Sequence, residues 1–270
     1  MTKASKPLLE LVGIDKSFRR PGGGMIHAAK AINLTVDRGE TVALVGESGS
    51  GKSTLGRIAL CLLRPDAGKV FLAGECLTGM PPRLLREKRI AMQPIFQDPA
   101  ASFNPRRKVA GLLAQATRSR HETDPAARSI SLLEDVGLRP GVAFMHRFPH
   151  ELSGGQRQRL AIARALAIDP ALVIADEPLS GADVSIRGQI LNLLADLQER
   201  RGLAYLMITH DISIARAFAH RVAVMKDGEI VETGPAGEVL GNPRDPYICR
   251  LVAAVPTLPV TPVEIESRSL

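Results

Sequence analysis

The sequence predicts an α/β fold with a mostly parallel sheet, and three observations along its 270 residues support this class. The apolar run Thr41–Val45 is continuous enough to form a buried central strand. A glycine-rich turn follows that run and leads into a helix, which we expect at about residues 52–63. From residue 172 onward strands and helices alternate, as in a parallel sheet that helices cover on both faces.

The other elements of the first half follow from short patterns. Residues 8–12 and 31–36 are apolar or alternating runs, and each predicts a strand. Pro65 closes the predicted helix 52–63, because proline cannot continue a helix. Pro94 denies its strand one ladder hydrogen bond, so we expect that strand at a sheet edge or beginning late.

The middle of the chain, about residues 98–159, is predicted to be mostly helical. Asp124 and Pro125 are typical of an N-cap followed by the first helical position. The apolar residues that follow at three-residue spacing are Ile130, Leu133 and Val136. Gly137 is expected to end this helix.

Two apolar runs in the last third, residues 172–175 and 204–208, predict strands. The apolar residues at helical spacing between them are Ile186, Ile190, Leu194 and Leu197. A further helix is expected after the second run. Three prolines within residues 256–270 predict an extended or disordered tail.

The composition excludes several classes of protein. A net charge of +7, with 3% aromatic residues and no tryptophan, gives a positive field without the stacking platform of a single-strand nucleic-acid binder. A phosphate-rich ligand or an anionic membrane surface accounts for that charge equally well. No apolar run approaches the roughly 18 residues that cross a bilayer, and the first residues lack the apolar segment of a secretory signal. We therefore expect a soluble protein of a reducing compartment.

Residues 46–54 read GESGSGKST, which fits the phosphate-loop pattern G-x-x-x-x-G-K-[ST] between a strand and a helix. Its glycines let the backbone wrap round phosphate oxygens, and the helix start adds free N–H groups and a positive dipole end. Lys52 is expected to reach the β- and γ-phosphates, and the Ser53 hydroxyl to hold Mg²⁺. A glycine-rich turn that binds nothing is the alternative, which the flanking strand and helix disfavour. The candidate nucleotide-binding residues are Gly46, Glu47, Ser48, Gly49, Ser50, Gly51, Lys52, Ser53 and Thr54.

An acidic pair follows the predicted strand 172–175. Ligands bind at the carboxyl ends of the strands in open α/β sheets, and Asp176 and Glu177 come at such an end. Asp176 suits Mg²⁺ coordination, and Glu177 suits the polarisation of a water that attacks a γ-phosphate. Alone, such a pair is more often a solvated turn. Beside a phosphate loop, the functional interpretation is favoured.

The third motif is LSGGQ at residues 152–156, which opens a helix expected at 157–168. Ser153 and Gln156 have the spacing of a capping box, which fully accounts for those two residues. It does not account for Gly154 and Gly155, because each glycine in a helix costs about 1 kcal/mol relative to alanine. A backbone that must approach an anion at the helix start explains both glycines.

Together these motifs resemble those of ATP-binding cassette (ABC) ATPases, over about residues 8–255. Their order is the phosphate loop, Gln97 within IFQDP, LSGGQ, Asp176 with Glu177, Asp183, and THD at residues 209–211. The resemblance implies an α/β P-loop NTPase cassette with a mostly parallel core sheet, an antiparallel β subdomain and an inserted α-helical subdomain. It also implies one ATPase domain over 1–255, with its core at 1–97 and 160–235 and the helical subdomain at 98–159. A C-terminal helical extension and a proline-rich tail would occupy 236–270.

The resemblance also implies roles for individual residues, with ATP and Mg²⁺ as cofactors. Phe18 resembles the aromatic residue that stacks on adenine, although a core phenylalanine is the alternative. Gln97 resembles the residue that contacts Mg²⁺ and the attacking water, and His210 resembles the histidine that contacts the γ-phosphate. Ser153 and Gly155 are implied to meet the ATP of a second cassette. The resemblance also adds Gly154, Gln156 and Asp183 to the candidate nucleotide-binding residues.

Narrower patterns resemble the ATPases of oligopeptide, dipeptide and nickel importers: SFNPR at 102–106, RFPH at 147–150 and NPRDPY at 242–247. That branch implies a second ABC ATPase subunit, expected to be a paralogue, two transmembrane permease subunits and an extracytoplasmic solute-binding protein. The chain would lie peripherally on the cytoplasmic face of the membrane, docked by its helical subdomain. It would contact neither the cargo nor nucleic acid.

Three alternatives to a peptide importer remain open. A nickel or metallophore importer of the same family is one, because the chain lacks the C-terminal cysteine cluster of many peptide-importer ATPases. A non-transport ABC ATPase that acts on nucleic acid or the ribosome is another, which the lack of a long coiled coil disfavours. The third is a regulator without turnover, and the presence of both Glu177 and His210 opposes it. SGAD at residues 180–183 also departs from the usual Ser-Ala-Leu-Asp of the family, which bears on the contact between cassettes.

Overall fold

The computed structural model describes residues 6–20, 22–98, 102–117, 123–181 and 183–254. Within these ranges the strands are β1 (Leu9–Arg19), β2 (Met25–Val36), β3 (Thr41–Val45), β4 (Ala67–Leu72), β5 (Glu75–Cys76), β6 (Met92–Ile95), β7 (Leu172–Asp176), β8 (Ala204–Thr209), β9 (Arg221–Lys226) and β10 (Glu229–Pro235). The helices are α1 (Lys52–Ala59), α2 (Pro82–Lys88), α3 (Val109–Thr117), α4 (Pro125–Asp135), α5 (Gly141–Met145), α6 (Gly154–Leu166), α7 (Val184–Arg201), α8 (Ile212–Phe218), α9 (Ala236–Gly241) and α10 (Pro246–Ala253).

A six-stranded sheet forms the centre of the fold, in the order β10-β9-β3-β8-β7-β6. β3 pairs in parallel with β8 on one side and with β9 on the other, and every residue of β3 is buried. β7 and β6 continue the parallel pairing, while β10 returns antiparallel along β9. The predicted central strand and parallel sheet are confirmed, and Pro94 lies in β6 at the sheet edge, as expected.

A second sheet of four antiparallel strands, in the order β2-β1-β4-β5, shares a core cluster with α1 and the first sheet. The strands predicted at 8–12 and 31–36 are present but longer, because β1 continues to Arg19 and β2 begins at Met25. The added segments pair with each other at the exposed end of the hairpin, where Phe18 lies opposite Ile26. Burial does not select for apolar residues there, so the sequence pattern stopped short of the strand ends.

The helix after the phosphate loop is shorter than predicted. α1 ends at Ala59 rather than at residue 63, and Leu60 follows as its C-cap. Cys61 has a left-handed φ of 51°, and the backbone N–H of Leu62 bonds to the Arg57 carbonyl at 2.8 Å. The chain therefore leaves the helix before Pro65 forces it to do so.

The middle of the chain is helical, as predicted, in its described residues. Asp124 caps α4 by accepting hydrogen bonds from the backbone of Ala126 and Ala127, with Pro125 in the first turn. Val136 follows the helix and Gly137 takes a φ of 76°, which ends it where expected. Buried residues of α3, α4, α5 and α6 form one cluster with residues of β6, β7 and α7.

The helix of the LSGGQ motif begins at Gly154 rather than at residue 157, so both glycines lie inside its first turn. Ser153 is the N-cap, which moves the start three residues earlier than the apolar pattern indicated. No helix in the described ranges is long and apolar enough to span a membrane. Residues 256–270, predicted to form an extended tail, lie outside the described part of the chain, as does residue 182.

Candidate functional site

The phosphate-loop motif folds as a tight turn between β3 and α1. Its glycines adopt backbone angles that other residues rarely reach, with φ values of 151° at Gly46, 84° at Gly49 and 106° at Gly51. A Cβ at Gly46 would lie 2.1 Å from the Met225 carbonyl oxygen, and a Cβ at Gly51 would lie 2.0 Å from that of Ala28. The loop therefore packs against β9 and β2 so closely that only glycine fits at these two positions.

Lys52 is the buried cation of this turn, with only 5% of its surface exposed. Its Nζ donates to the carbonyl oxygens of Gly46 and Glu47, each at 2.7 Å, and lies 3.4 Å from Ser50 Oγ. Burial lowers the pKa of Lys52, while neighbouring carboxylates, chiefly that of Glu177, act to raise it. The loop thus holds a desolvated ammonium group at the start of a helix, where negative charge is stabilised.

The acidic pair and the phosphate loop meet at the carboxyl ends of the parallel strands β7 and β3. Ser53 Oγ donates a 3.0 Å hydrogen bond to Oδ1 of Asp176, the last residue of β7. Burial raises the pKa of Asp176, and the hydrogen bond from Ser53 partly offsets that shift. A hydroxyl and a carboxylate are hard oxygen donors of the kind that Mg²⁺ prefers. The donor set therefore fits Mg²⁺. Of the three residues expected to contact the metal, Ser53 and Asp176 lie together, while Gln97 contacts Glu177. Of the other loop residues, Ser48 is exposed and Thr54 is half-buried.

Glu177 contacts Gln97 and His210, the other two residues expected to take part in hydrolysis. Its φ of 47° is left-handed, which strains a non-glycine residue by about 1–3 kcal/mol. Its Oε2 accepts a hydrogen bond from Gln97 Nε2 at 3.2 Å, and its Oε1 lies 2.9 Å from His210 Nδ1. Its backbone N–H donates to the Ile208 carbonyl at 2.8 Å, which fixes the residue between β7 and β8. A carboxylate held in this way can accept a proton from a nearby water.

The loops that follow β6, β7 and β8 make further polar contacts that the sequence did not predict. Gln97 Nε2 also lies 3.4 Å from the hydroxyl of Ser180, and no pattern in the sequence connects those two residues. Asp211 caps α8 through the backbone N–H groups of Ser213 and Ile214. Its second carboxylate oxygen lies 3.3 Å from Arg187 Nη1, so the loop that carries His210 is tied to α7. The Asp-x-x at a helix start was the signal that could have indicated this cap.

The LSGGQ turn makes the capping box that its spacing predicted. Ser153 Oγ accepts a 3.3 Å hydrogen bond from Gln156 N, and Gln156 Oε1 accepts one from Ser153 N at 3.0 Å. A Cβ at Gly154 would meet nothing within 4 Å, and a Cβ at Gly155 would come no closer than 3.4 Å, to the side chain of Ile186. Nothing in the described chain therefore requires glycine at residue 154.

The LSGGQ turn and the phosphate loop lie apart in this chain. A cavity of about 370 Å³ is lined by Ser153, Gly154 and Gly155 together with Ser180, Gly181 and Asp183, and no residue of the phosphate loop lines it. Asp183 occupies the N-cap position of α7, but its side chain makes no capping hydrogen bond. Ser153, Gly155 and Asp183 thus line one cavity, which includes no residue of the Lys52 turn.

Phe18 lies near the end of the β1–β2 hairpin and is not a core residue. It is 39% exposed in β1, and Lys16 Nζ lies 5.5 Å from its ring centroid. The alternative of a core phenylalanine is therefore wrong, because both Phe18 and Ile26, which lies opposite it, are exposed. An exposed ring remains able to stack on a base.

Phosphate-loop nucleotide-binding proteins are the class that this fold and site define. The glycine turn follows the central strand, and the acidic strand end beside it supplies oxygen ligands, as phosphate and metal binding in such a sheet require. Comparison with known proteins narrows the class, because the family model for the ABC transporter matches residues 29–180. The chain belongs to this family, and its fold is that of an ABC ATPase domain.

Its relatives among characterised proteins include ATPases of glutathione import. The glutathione import ATP-binding protein GsiA of Salmonella paratyphi A is 46% identical over 260 residues, which cover 93% of this chain and 41% of that protein. GsiA of Escherichia coli strain K12 is 49% identical over 234 residues, which cover 86% of this chain and 37% of that protein. The chain therefore spans about 40% of the length of these relatives.

Solved structures agree with the cassette fold that the sequence predicted. The dimeric post-hydrolysis state of the ATP-binding cassette MJ0796, bound to ADP and Pi, matches with a TM-score of 0.75 at 30% identity, covering 84% of this chain and 98% of that one. CbiO1 from Clostridium perfringens, part of the ABC transporter complex CbiONQ, matches with a TM-score of 0.77 at 28% identity, covering 87% and 91%.

Proposed function

We propose that the chain is the ATP-hydrolysing subunit of an ABC importer that couples ATP binding and hydrolysis at a pair of cassettes to transport. The observation that carries the proposal is the juxtaposition of Lys52, Ser53 and Asp176 with Glu177 at one edge of the parallel sheet. The contact of Ser53 with Asp176 joins the phosphate loop to the acidic strand end at 3.0 Å. Binding groups and a carboxylate suited to water activation therefore lie side by side.

Nucleotide binding follows from the loop and the helix behind it. The backbone N–H groups at the start of α1 stabilise phosphate oxygens, and Lys52 moves its donors from loop carbonyls to the β- and γ-phosphates. Because Lys52 is desolvated, its interaction with phosphate is stronger than that of a surface lysine. Bound by Ser53 and Asp176, Mg²⁺ would neutralise charge on the same phosphates. The exposed ring of Phe18 is available to stack on adenine.

Hydrolysis is assigned to Glu177. Gln97 and His210 each contact a different oxygen of its carboxylate, at 3.2 Å and 2.9 Å, and so fix its orientation. In that orientation Glu177 accepts a proton from the water that attacks the γ-phosphate. Because both residues lie beside this carboxylate, Gln97 is placed to contact the attacking water and His210 to contact the γ-phosphate.

A complete site requires a second cassette. The LSGGQ turn presents the N–H groups of a helix start and an unobstructed Gly154, yet the cavity that it lines includes no residue of its own phosphate loop. That surface suits a phosphate group of ATP that is bound to the phosphate loop of a partner cassette. ATP then joins two cassettes head to tail, and loss of the γ-phosphate contacts lets them separate.

The importer role is supported by the relatives at 46% and 49% identity, which are glutathione import ATP-binding proteins. Glutathione is a tripeptide, and we therefore propose short peptides as the cargo class. Two membrane permeases, docked on the helical region 98–159, and an extracytoplasmic binding protein would select that cargo. The chain itself would sit on the cytoplasmic face of the membrane, beside a second, paralogous ATPase.

Replacement of Lys52 tests the proposal. We expect Lys52→Ala to weaken Mg-ATP binding by more than about 100-fold, because a buried, charge-assisted contact to the phosphates is lost. Equilibrium binding of a fluorescent ATP analogue measures this, and uptake of labelled glutathione by cells that carry only the variant should fall to background.

The matched control is Lys88→Ala, which removes an exposed lysine paired with Glu75. This variant should bind ATP like the unmodified chain. Unchanged affinity in Lys52→Ala would contradict the phosphate-loop assignment. If the unmodified chain binds ATP but Lys52→Ala leaves glutathione uptake unchanged, only the proposed cargo is contradicted.

A further inference from the structure

The C-terminal helix α10 reaches the phosphate loop, in a contact that the proposed function does not use. The carboxylate of Asp245 caps this helix by accepting a 2.7 Å hydrogen bond from the backbone N–H of Tyr247. The phenol oxygen of Tyr247 in turn accepts a hydrogen bond from the backbone N–H of Glu47 at 3.0 Å. A side chain near the end of the chain thus holds a peptide unit of the nucleotide site.

Tyr247 is firmly placed by its surroundings. It is 3% exposed and belongs to the core cluster that includes Ala43 and Val45 of the central strand β3. Lys226 Nζ lies 5.3 Å from its ring centroid. Burial raises the pKa of the Tyr247 phenol, so the group remains protonated and neutral at physiological pH. A neutral acceptor supports the loop without adding negative charge beside the phosphates.

The hydrogen bond to Tyr247 is one of three contacts that hold successive parts of the phosphate loop. Gly46 packs on the Met225 carbonyl of β9, and the carbonyl of Ser50 accepts a 3.0 Å hydrogen bond from the Gly228 backbone N–H. Glu47 lies between these two positions and is held by the tyrosine. The β9–β10 turn and α10 therefore fix successive parts of the same loop.

The Glu47 peptide unit is also linked to the cation of the site. Its N–H, that of Glu47, donates to Tyr247, and its carbonyl oxygen, that of Gly46, accepts from Lys52 Nζ at 2.7 Å. A loop that binds phosphate through its backbone is effective only when it is already held in the binding conformation, because ordering it during binding costs affinity. The fixed Glu47 unit thereby sets both the loop conformation and the resting position of Lys52.

We propose that Tyr247 is a positioning residue for nucleotide binding, which holds the Glu47 peptide unit and through it the phosphate loop and Lys52. The proposal rests on the proposed function, since it assigns Tyr247 a part in ATP affinity. It gives the C-terminal segment, which lies beyond the family match at residues 29–180, a role at the nucleotide site.

Tyr247→Phe in the full chain is the test, because it keeps the buried ring and removes only the hydrogen-bond acceptor. We expect Mg-ATP affinity to fall by about 3- to 10-fold, the effect of one neutral hydrogen bond. Turnover at saturating ATP should change by less than about twofold, because Tyr247 touches neither the phosphates nor Glu177. In the nucleotide-free chain, hydrogen exchange at the Glu47 amide should accelerate, as mass spectrometry of the loop peptide would record.

Tyr205→Phe is the matched control. Tyr205 is the other tyrosine of the chain, 1% exposed, and its hydroxyl donates to the Leu194 carbonyl at 3.1 Å. It should lose comparable stability in thermal unfolding without a change in ATP affinity or Glu47 exchange. Equal ATP affinity in Tyr247→Phe and the unmodified chain overturns the proposal, as does an equal loss in both variants. If neither the unmodified chain nor either variant binds ATP, the proposed function is overturned. Faster exchange at the Glu47 amide in Tyr247→Phe would still establish the contact in that case.

Discussion

The phosphate loop and the LSGGQ turn are both glycine-containing starts of helices, yet the chain surrounds them very differently. At the phosphate loop, a Cβ on Gly46 or Gly51 would lie about 2 Å from a backbone carbonyl oxygen of a neighbouring strand. At the LSGGQ turn, a Cβ on Gly154 would meet nothing within 4 Å. The first turn is fitted into its own fold, and the second faces open space.

The difference teaches what each set of glycines is for. Gly46 and Gly51 are needed by the packing and left-handed backbone of this chain, whatever it binds. Gly154 lies in the first turn of α6, where the chain itself would tolerate a larger residue and where glycine weakens the helix. A glycine that its own fold does not need is explained by a partner that approaches it closely. This contrast is the physical basis for our proposal that two cassettes share a nucleotide site.

The largest effect should come from Glu177→Gln. This variant tests whether the site beside the phosphate loop, rather than the LSGGQ turn, supplies the group that activates water for ATP hydrolysis. The amide keeps the shape of the side chain and one acceptor oxygen, but it cannot take a proton from water. We expect turnover to fall by about 10²- to 10⁴-fold, the contribution of a general base, while Mg-ATP binding stays within about twofold of the unmodified chain. Phosphate release under saturating ATP, together with equilibrium binding, measures both.

Glu75→Gln is the control for this prediction, because Glu75 is an exposed carboxylate that pairs with Lys88 away from the site. It should leave both measurements unchanged. Near-normal turnover in Glu177→Gln would remove Glu177 from the catalytic role and would leave the contacts of Gln97 and His210 without the proposed purpose.

A smaller effect, on stability, sharpens the contrast between the two turns. Gly51→Ala should lower the free energy of unfolding by about 2 kcal/mol or more, because its Cβ meets a carbonyl and its φ is left-handed. Gly154→Ala should leave that free energy unchanged or raise it by up to about 1 kcal/mol, because alanine favours a helix. Urea unfolding of both variants measures the difference. Destabilisation by Gly154→Ala comparable to that of Gly51→Ala would mean that the LSGGQ glycine serves its own fold.

Much of the fold could be predicted because local patterns and burial coincide there. The fully buried strand β3, the Asp124 cap of α4 and the capping box of Ser153 all appear as predicted. Helix and strand ends were less predictable, because they depend on backbone angles and pairing rather than on apolar spacing. Cys61 ends α1 through a left-handed φ of 51°, and the outer part of the β1–β2 hairpin pairs without being buried.

The candidate site divides in the same way. Sequence motifs identified Ser53 and Asp176 separately, and the parallel sheet brings them within 3.0 Å although they are 123 residues apart. The hydrogen bond between Tyr247 and Glu47 spans 200 residues and joins a helix to a loop with no shared motif. A sequence pattern names residues that bind a ligand, but it carries little information on those that hold them in place.

The affinity of a Ser153→Arg variant for Mg-ATP tests the shared site most directly, with Lys52→Ala measured beside it. The arginine fills the surface on which we propose that a second cassette docks, and it leaves the phosphate loop untouched. The account predicts that Ser153→Arg binds ATP as tightly as the unmodified chain while its assembled transporter no longer hydrolyses it. Loss of ATP binding by the isolated Ser153→Arg chain, to the level of Lys52→Ala, would show that the LSGGQ turn belongs to its own nucleotide site and would contradict the account.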